Sequence, residues 1–166
     1  DEVGVFEGDR LCDMGSARAV LTVDPGQRRR TELHGSERVL RDRKLVIEIV
    51  DPAVNVLGAT SLALDAAGNP AIAYHDGSND DLRFARFDVS SWILELVDGQ
   101  AGKAGASPAL AFDAANRPAI GYQDLDLGHL KLARQGGAGW QIETVDATSG
   151  AGLGISLAFA PDGHPA

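Results

Sequence analysis

The feature that most constrains this chain is that it repeats itself. The phrase from Ser61 to Asp76, Ser-Leu-Ala-Leu-Asp-Ala-Ala-Gly-Asn-Pro-Ala-Ile-Ala-Tyr-His-Asp, returns forty-eight residues later from Ala109 to Asp124 as Ala-Leu-Ala-Phe-Asp-Ala-Ala-Asn-Arg-Pro-Ala-Ile-Gly-Tyr-Gln-Asp. It opens a third time at Ser156 and runs to Pro165-Ala166. A period of 47–48 residues marks an array of like units, each burying its apolar face against the next.

A second phrase recurs in the same register. Residues 45–51 read Leu-Val-Ile-Glu-Ile-Val-Asp, and the pattern returns from Trp92 to Asp98 and from Trp140 to Asp146. Such β-branched and apolar runs of seven, bounded by turn residues, predict strands rather than helices. Each full unit then holds four strands, over about 61–65, 71–75, 82–87 and 92–97, then 109–113, 119–123, 130–135 and 140–145.

The turns have mechanisms. After Asp65, whose carboxylate can take backbone N–H groups ahead of it, Gly68 supplies a positive φ. The second unit places Asn116 there, the next most tolerant residue of the left-handed region, and the third places Gly163. Pro70, Pro118 and Pro165 fall where a strand begins and a missing N–H costs the ladder least. Residues 99–107 and 147–154 read as Gly- and Ala-rich connectors between units.

Alternation within the strands gives each sheet a bulky side and a slim side. Ile72 and Tyr74 oppose Ala71 and Ala73, and both sides are apolar. A sheet like this is satisfied between copies of itself, large side chains on small ones. The expected fold is all-β: a partial β-propeller of four-stranded antiparallel blades, truncated at both ends. Residues 1–44 form a poorly defined flank or degenerate blade. Residues 45–166 hold the last strand of one blade, two full blades and the start of another. The chain begins at Asp1 without an initiator Met and stops inside a repeat, so both ends read as cuts in a longer chain.

Charge is unevenly spread. Residues 1–44 balance nine basic against nine acidic side chains, Arg28, Arg29 and Arg30 included, whereas 45–166 carry six basic against fifteen acidic. The whole net charge of −9 thus lies in the repeats, which disfavours nucleic acid as a partner. No apolar run reaches the roughly 18–20 residues of a membrane helix, and the start shows no secretory signal pattern. The lone Cys12 has no cysteine partner for a disulfide or a metal site.

The consensus Ser-Leu-Ala-[Leu/Phe]-Asp-x-x-Gly-x-Pro-x-Ile-x-Tyr-x-Asp, followed by Asp-Leu-x-x-Ala-Arg and Trp-x-[Ile/Leu]-Glu-x-Val-Asp, resembles blade repeats of large, mostly uncharacterised bacterial secreted proteins. The resemblance covers about 45–166 and implies an extracellular or cell-envelope location. It lacks the Ser-x-Asp-x-Gly-x-Thr-Trp turn of sialidase-type propellers and the Gly-His and Trp-Asp pairs of another large propeller class.

Candidate sites are few. The loops after the second strands are acidic, and Asp76, Asp80, Asp124 and Asp126 are the candidate ligands for Ca²⁺, which takes six to eight oxygens. Neither loop has the downstream bidentate Glu of an EF-hand, and solvated turn formers are the simpler reading. Trp92 and Trp140 could stack on sugar rings, but repeated aromatics more often pack on the neighbouring sheet, as do Tyr74 and Tyr122. Arg86 and Arg134 are expected to pair across strands with Glu95 and Glu143. His75 becomes Gln123 in the next unit and is either neutral surface or specific to one blade. No Zn²⁺ spacing, nucleophile elbow or phosphate loop is present, so no catalytic residue is assigned. The expected function is a non-catalytic scaffold or recognition module, binding protein or glycan through blade loops, with further blades of the parent chain as partners. The alternative is a fragment of a propeller hydrolase or lyase acting on glycans, with its catalytic residues outside this chain.

Overall fold

A computed structural model describes residues 17–21, 46–99 and 102–166. Among the described residues every regular element is a strand. β1 (Ala17–Leu21) and β2 (Val46–Asp51) form an antiparallel pair. β3 (Val56–Leu64), β4 (Pro70–Asp76), β5 (Asp81–Asp88) and β6 (Ser91–Asp98) make a four-stranded meander in that order. A second four-stranded sheet follows the same path through β7 (Ala104–Phe112), β8 (Pro118–Asp124), β9 (Leu130–Gly136) and β10 (Gly139–Asp146). All neighbours within each sheet are antiparallel. The Arg28 to Arg30 run and Cys12 lie outside the described residues.

The hairpins confirm the turn chemistry. Asp65 N–H donates to the Asn69 carbonyl and Gly68 N–H to the Asp65 carbonyl, and the pair recurs as Asp113 to Arg117 with Asn116 to Asp113. It appears a third time as Ala160 to His164 with Gly163 to Ala160, closed by a bridge between Phe159 and Pro165. The three αL positions hold φ values of 84° at Gly68, 60° at Asn116 and 85° at Gly163.

One expectation needs correction. The first strand of each unit starts earlier than predicted: β3 begins at Val56 rather than near 61, and β7 at Ala104, inside what read as connector. Their first halves are bulged, with register shifts between Val56 and Thr60 and between Ala104 and Ala109. Bulges hide the period of two that announces a strand. Small residues are needed there because β7 lies across β3, β4 and β5 of the first sheet. At Gly105, φ is 102° and an added Cβ would stand 2.9 Å from the Leu82 Cα.

Where the two sheets meet, the large side chains of β8 face the alanines of β4, and Leu82 and Phe84 of β5 fill the space beside them. Leu110, Ile120 and Tyr122 of the second sheet pack on Ala71, Ala73, Leu82 and Phe84 of the first. On its other face the first sheet turns Ile72, Tyr74 and Ala85 towards Val50 and Val54. Beyond the reach of that short cover, Leu62 and Leu64 remain 57% and 59% exposed. The slim side of the second sheet takes the last segment of the chain, and Ile155 lies against Gly121.

Two glycine substitutions separate backbone strain from steric clash. Gly68→Ala meets no atom within 4 Å and should cost about 1–2 kcal/mol from its positive φ alone. Gly105→Ala adds a clash with backbone and should cost about 2–4 kcal/mol. Urea unfolding of the two variants checks the order; equal losses would contradict the close approach of β7 to β5.

Candidate functional site

The polar side chains with recurring geometry gather in two places: the loops after β4 and β8, and the junction between sheets. Asp76 is the last residue of β4 and is fully buried. Its Oδ1 accepts the Ser78 N–H at 2.9 Å, and its Oδ2 accepts Asn79 Nδ2 at 2.9 Å and Arg83 Nε at 3.0 Å. Asp124 repeats this at the end of β8: Oδ1 takes the N–H groups of Asp126 and Leu127, and Oδ2 faces Lys131 Nζ at 2.9 Å. An Asx turn therefore starts each loop, and a cation on the next strand, two positions along the ladder, neutralises the buried carboxylate.

Asp80 and Asp126 meet around the chain entering β7. Asp80 has φ of 58°; its carbonyl accepts Ala104 N–H at 2.8 Å and its carboxylate holds Lys103 Nζ at 2.9 Å. Asp126 Oδ2 accepts the Lys103 N–H at 3.0 Å. Each of the four acids considered for Ca²⁺ thus carries protein donors, and only Asp80 and Asp126 share a partner, Lys103. Among the described residues no three His, Cys, Asp or Glu side chains converge as metal ligands. His75 is buried, as is Gln123 at the equivalent position. Its Nε2 stands 3.5 Å from Asp80 Oδ1.

The junction carries a clasp that recurs in register. Tyr74 Oη donates to Asp51 Oδ2 at 2.7 Å, and Tyr122 Oη donates to Asp98 Oδ2 at 2.5 Å. Each bond joins the second strand of one unit to the last strand of the unit before. Burial, then the bond to the neighbouring aspartate, pushes both phenols up, so they stay protonated donors at any ordinary pH. Lys131 extends the second clasp, reaching Asp98 at 3.6 Å as well as Asp124.

Trp140 packs edge-on against Phe84 of the preceding sheet, ring centres 5.3 Å apart, and its Nε1 donates to Glu95 Oε2 at 2.9 Å. Trp92 sits against Phe87 and the Val50–Val54 cluster. Glu48, which occupies in β2 the place of Glu95 in β6, lies outside the described side chains. Arg86 pairs with Glu95 at 3.5 Å and Arg134 with Glu143, as the cross-strand spacing predicts.

Asp51 and Asp98 are the residues the sequence did not single out. Their signal was present, since both end the recurring Ile/Leu-Val-Asp phrase, but only sheet packing reveals that tyrosines of the next unit reach them. With this geometry in hand, comparison with models of known protein families and with curated proteins finds no match for the chain. No helix among the described residues is long and apolar enough to cross a membrane.

Three outcomes test the geometry. Tyr74→Phe strands Asp51 in a buried site and should cost about 3 kcal/mol, whereas Tyr122→Phe leaves Lys131 beside Asp98 and should cost about 1 kcal/mol; chemical denaturation of the two variants checks the ranking. Burial works to raise the pKa of Asp76 and Asp124, but hydrogen bonds from Asn79 and Ser78, and from Lys131, Leu127 and Asp126, outweigh it and hold both below the carboxylate range. Their folded pKa values lie under the unfolded value of about 3.9, so their stabilisation is complete well above that pH and fades as pH falls through it. Asp81, pushed up by burial, acts in the opposite sense. An Asp124→Asn variant should therefore show a flatter loss of melting temperature between roughly pH 5 and pH 2. Finally, any Ca²⁺ at Asp76 or Asp124 must displace Arg83 or Lys131, so millimolar Ca²⁺ should leave the melting temperature where EDTA leaves it; a rise of several degrees would assign the loops a ligand role.

Proposed function

We propose that this chain is part of a non-catalytic β-propeller, a scaffold or recognition module of a secreted or cell-envelope protein whose sheets serve as blades. The observation that carries this reading is the recurrence of the tyrosine–aspartate clasp at successive junctions. Tyr74 reaches back to Asp51 and Tyr122 to Asp98, so the natural neighbour of each unit is another unit. Packing supports the same conclusion, because the first sheet is apolar on both faces and meets another sheet on each.

A binding rather than chemical role is favoured by what the acids do. Asp76, Asp124, Asp51 and Asp98 hold loops or clasps, and Glu95 is occupied by Arg86, Gln135 and Trp140. Catalytic carboxylates need access to a substrate proton and an adjusted pKa; these have protein donors instead. The secreted location rests on the resemblance of the repeat phrase alone.

Leu62 and Leu64 stand exposed on the bulky side of the first sheet, apolar surface that a further blade would cover. Size-exclusion chromatography of the chain should show concentration-dependent association. A sharp monomeric peak with a cooperative melt would contradict the claim that this face waits for another blade. Turnover of a glycan by the purified chain would overturn the non-catalytic assignment.

A further inference from the structure

The slim face of the second sheet carries a cavity of about 240 Å³, lined chiefly by apolar groups: Gly121, Leu130, Leu132 and Val145 of the sheet, and Leu157 of the segment that crosses it. One unit earlier the same positions are Ala73, Leu82, Phe84, Val97 and Leu110. There they form one core cluster with Ile120 and Tyr122, which the second strand of the following unit inserts. We infer that the cavity is the acceptor site for the second strand of a further repeat unit. That strand carries an isoleucine and, two residues on, a tyrosine whose hydroxyl closes on Asp146.

Exposure marks the difference between the junctions. Val50 and Val97 are 4% and 7% exposed, whereas Val145 at the equivalent place is 56% exposed. Half of the clasp is already built. Asp51 Oδ1 accepts the Ala53 N–H at 3.0 Å, Asp98 Oδ1 the Gly99 N–H at 2.9 Å, and Asp146 Oδ1 the Thr148 N–H at 2.7 Å. In the first two the other carboxylate oxygen takes a phenol. Both tyrosines of the chain are used there, so Asp146 has the clasp arrangement and draws its tyrosine from elsewhere.

A strand edge lies beside the cavity. Ala158 and Ala166 exchange both N–H···O bonds at 2.9 Å, as a hydrogen-bonded antiparallel pair does. The next such pair along the segment falls at Ser156, whose N–H and carbonyl have no backbone partner among the described residues. The β7–β8 register sets Ile120 opposite Leu110 and Gly121 opposite Ala109. A strand added in that register puts its isoleucine opposite Leu157 and carries its tyrosine towards Asp146. Strand addition gains affinity from main-chain bonds and selectivity from pockets for alternate side chains, and the cavity with Asp146 supplies such pockets. A second copy of this chain is a poor donor. Its own Ile-x-Tyr segments, β4 and β8, are buried along their whole length and bonded to strands on both sides.

This inference rests on the reading of the sheets as blades, and fluorescence anisotropy tests it separately. A dye-labelled peptide with the β8 sequence, Pro-Ala-Ile-Gly-Tyr-Gln-Asp, is titrated with the full 166-residue chain. The peptide should bind saturably, and its form with phenylalanine in place of tyrosine should bind about tenfold more weakly, as expected for loss of a hydrogen bond to a charged group. Asp146→Asn keeps an oxygen for the Thr148 N–H but loses the second acceptor. It should weaken the tyrosine peptide by a similar factor and leave the phenylalanine peptide unchanged. Val145→Lys, at an exposed position, should abolish binding of both. Absence of saturable binding, equal binding of the two peptides, or binding indifferent to both chain variants would overturn the acceptor site. Self-association of the unmodified chain that Val145→Lys removes would overturn it too, because a second copy would then be the occupant. Each of these results leaves the blade reading standing, since that is tested by association through the bulky face of the first sheet.

Discussion

The structure depends on a sheet with one bulky side and one slim side, set against another of the same kind. At the complete junction, Ile120 and Tyr122 of the second sheet enter the space left by Ala71 and Ala73 of the first. Each large side chain buried there contributes about 1.5–3 kcal/mol, so packing supplies the attraction between units. It does not by itself choose a register, because alanines two residues apart on the strand offer similar floors. The tyrosine hydroxyl makes that choice. A buried phenol two residues out of place leaves Asp51 or Asp98 without its donor, and an orphaned buried carboxylate costs more than its hydrogen bond contributes. Attraction and register thus come from different atoms of the same tyrosine.

The loops carry that register outward. Asp76 and Asp124 close the Asx turns and hold Arg83 and Lys131, and Lys131 also faces the clasp aspartate Asp98. From there the chain of contacts runs through the αL residue of the loop to the segment that opens the next unit: the Asp80 carbonyl takes Ala104 N–H, and the Gly128 carbonyl takes Gly150 N–H. Turn, clasp and next unit are therefore mechanically continuous at one end of the sheets. The Gly105 close approach depends on this continuity, because a strand entering at another angle would not cross the backbone of Leu82.

Much of this was legible in the sequence, for identifiable reasons. Strand positions from Pro70 to Asp98 and from Pro118 to Asp146 follow from apolar alternation between strong turn signals, and Gly68, Asn116 and Gly163 betray one αL site by exchanging the residues that tolerate it. The pairing of Trp140 with the preceding sheet was foreseeable from its size and recurrence. The early halves of β3 and β7 were not, because bulges erase the period of two and their small residues look like linker. The burial of His75, left open between surface and a role in one blade, was not legible for a related reason: a polar residue at a strand end gives no sign of what will cover it. The Asp51 and Asp98 acceptors were visible as recurring letters, but a one-dimensional repeat cannot say that a residue pairs with the unit ahead rather than its own.

Repetition also says where variation can accumulate. Residues on the sheet faces answer to two neighbours at once, so Ala71 and Ala119, or Tyr74 and Tyr122, are nearly interchangeable between units. Residues at the turn end of the sheets answer to one. There Asn69 gives way to Arg117, Phe87 to Gln135 and Asp88 to Gly136, and each exchange alters the rim of an inter-sheet notch without touching a clasp. A fold that ties its strongest polar groups into junctions and opposite-end loops leaves this rim as the surface whose chemistry can change from unit to unit at little cost in stability. The rim is thus where the scaffold asks least of the side chains.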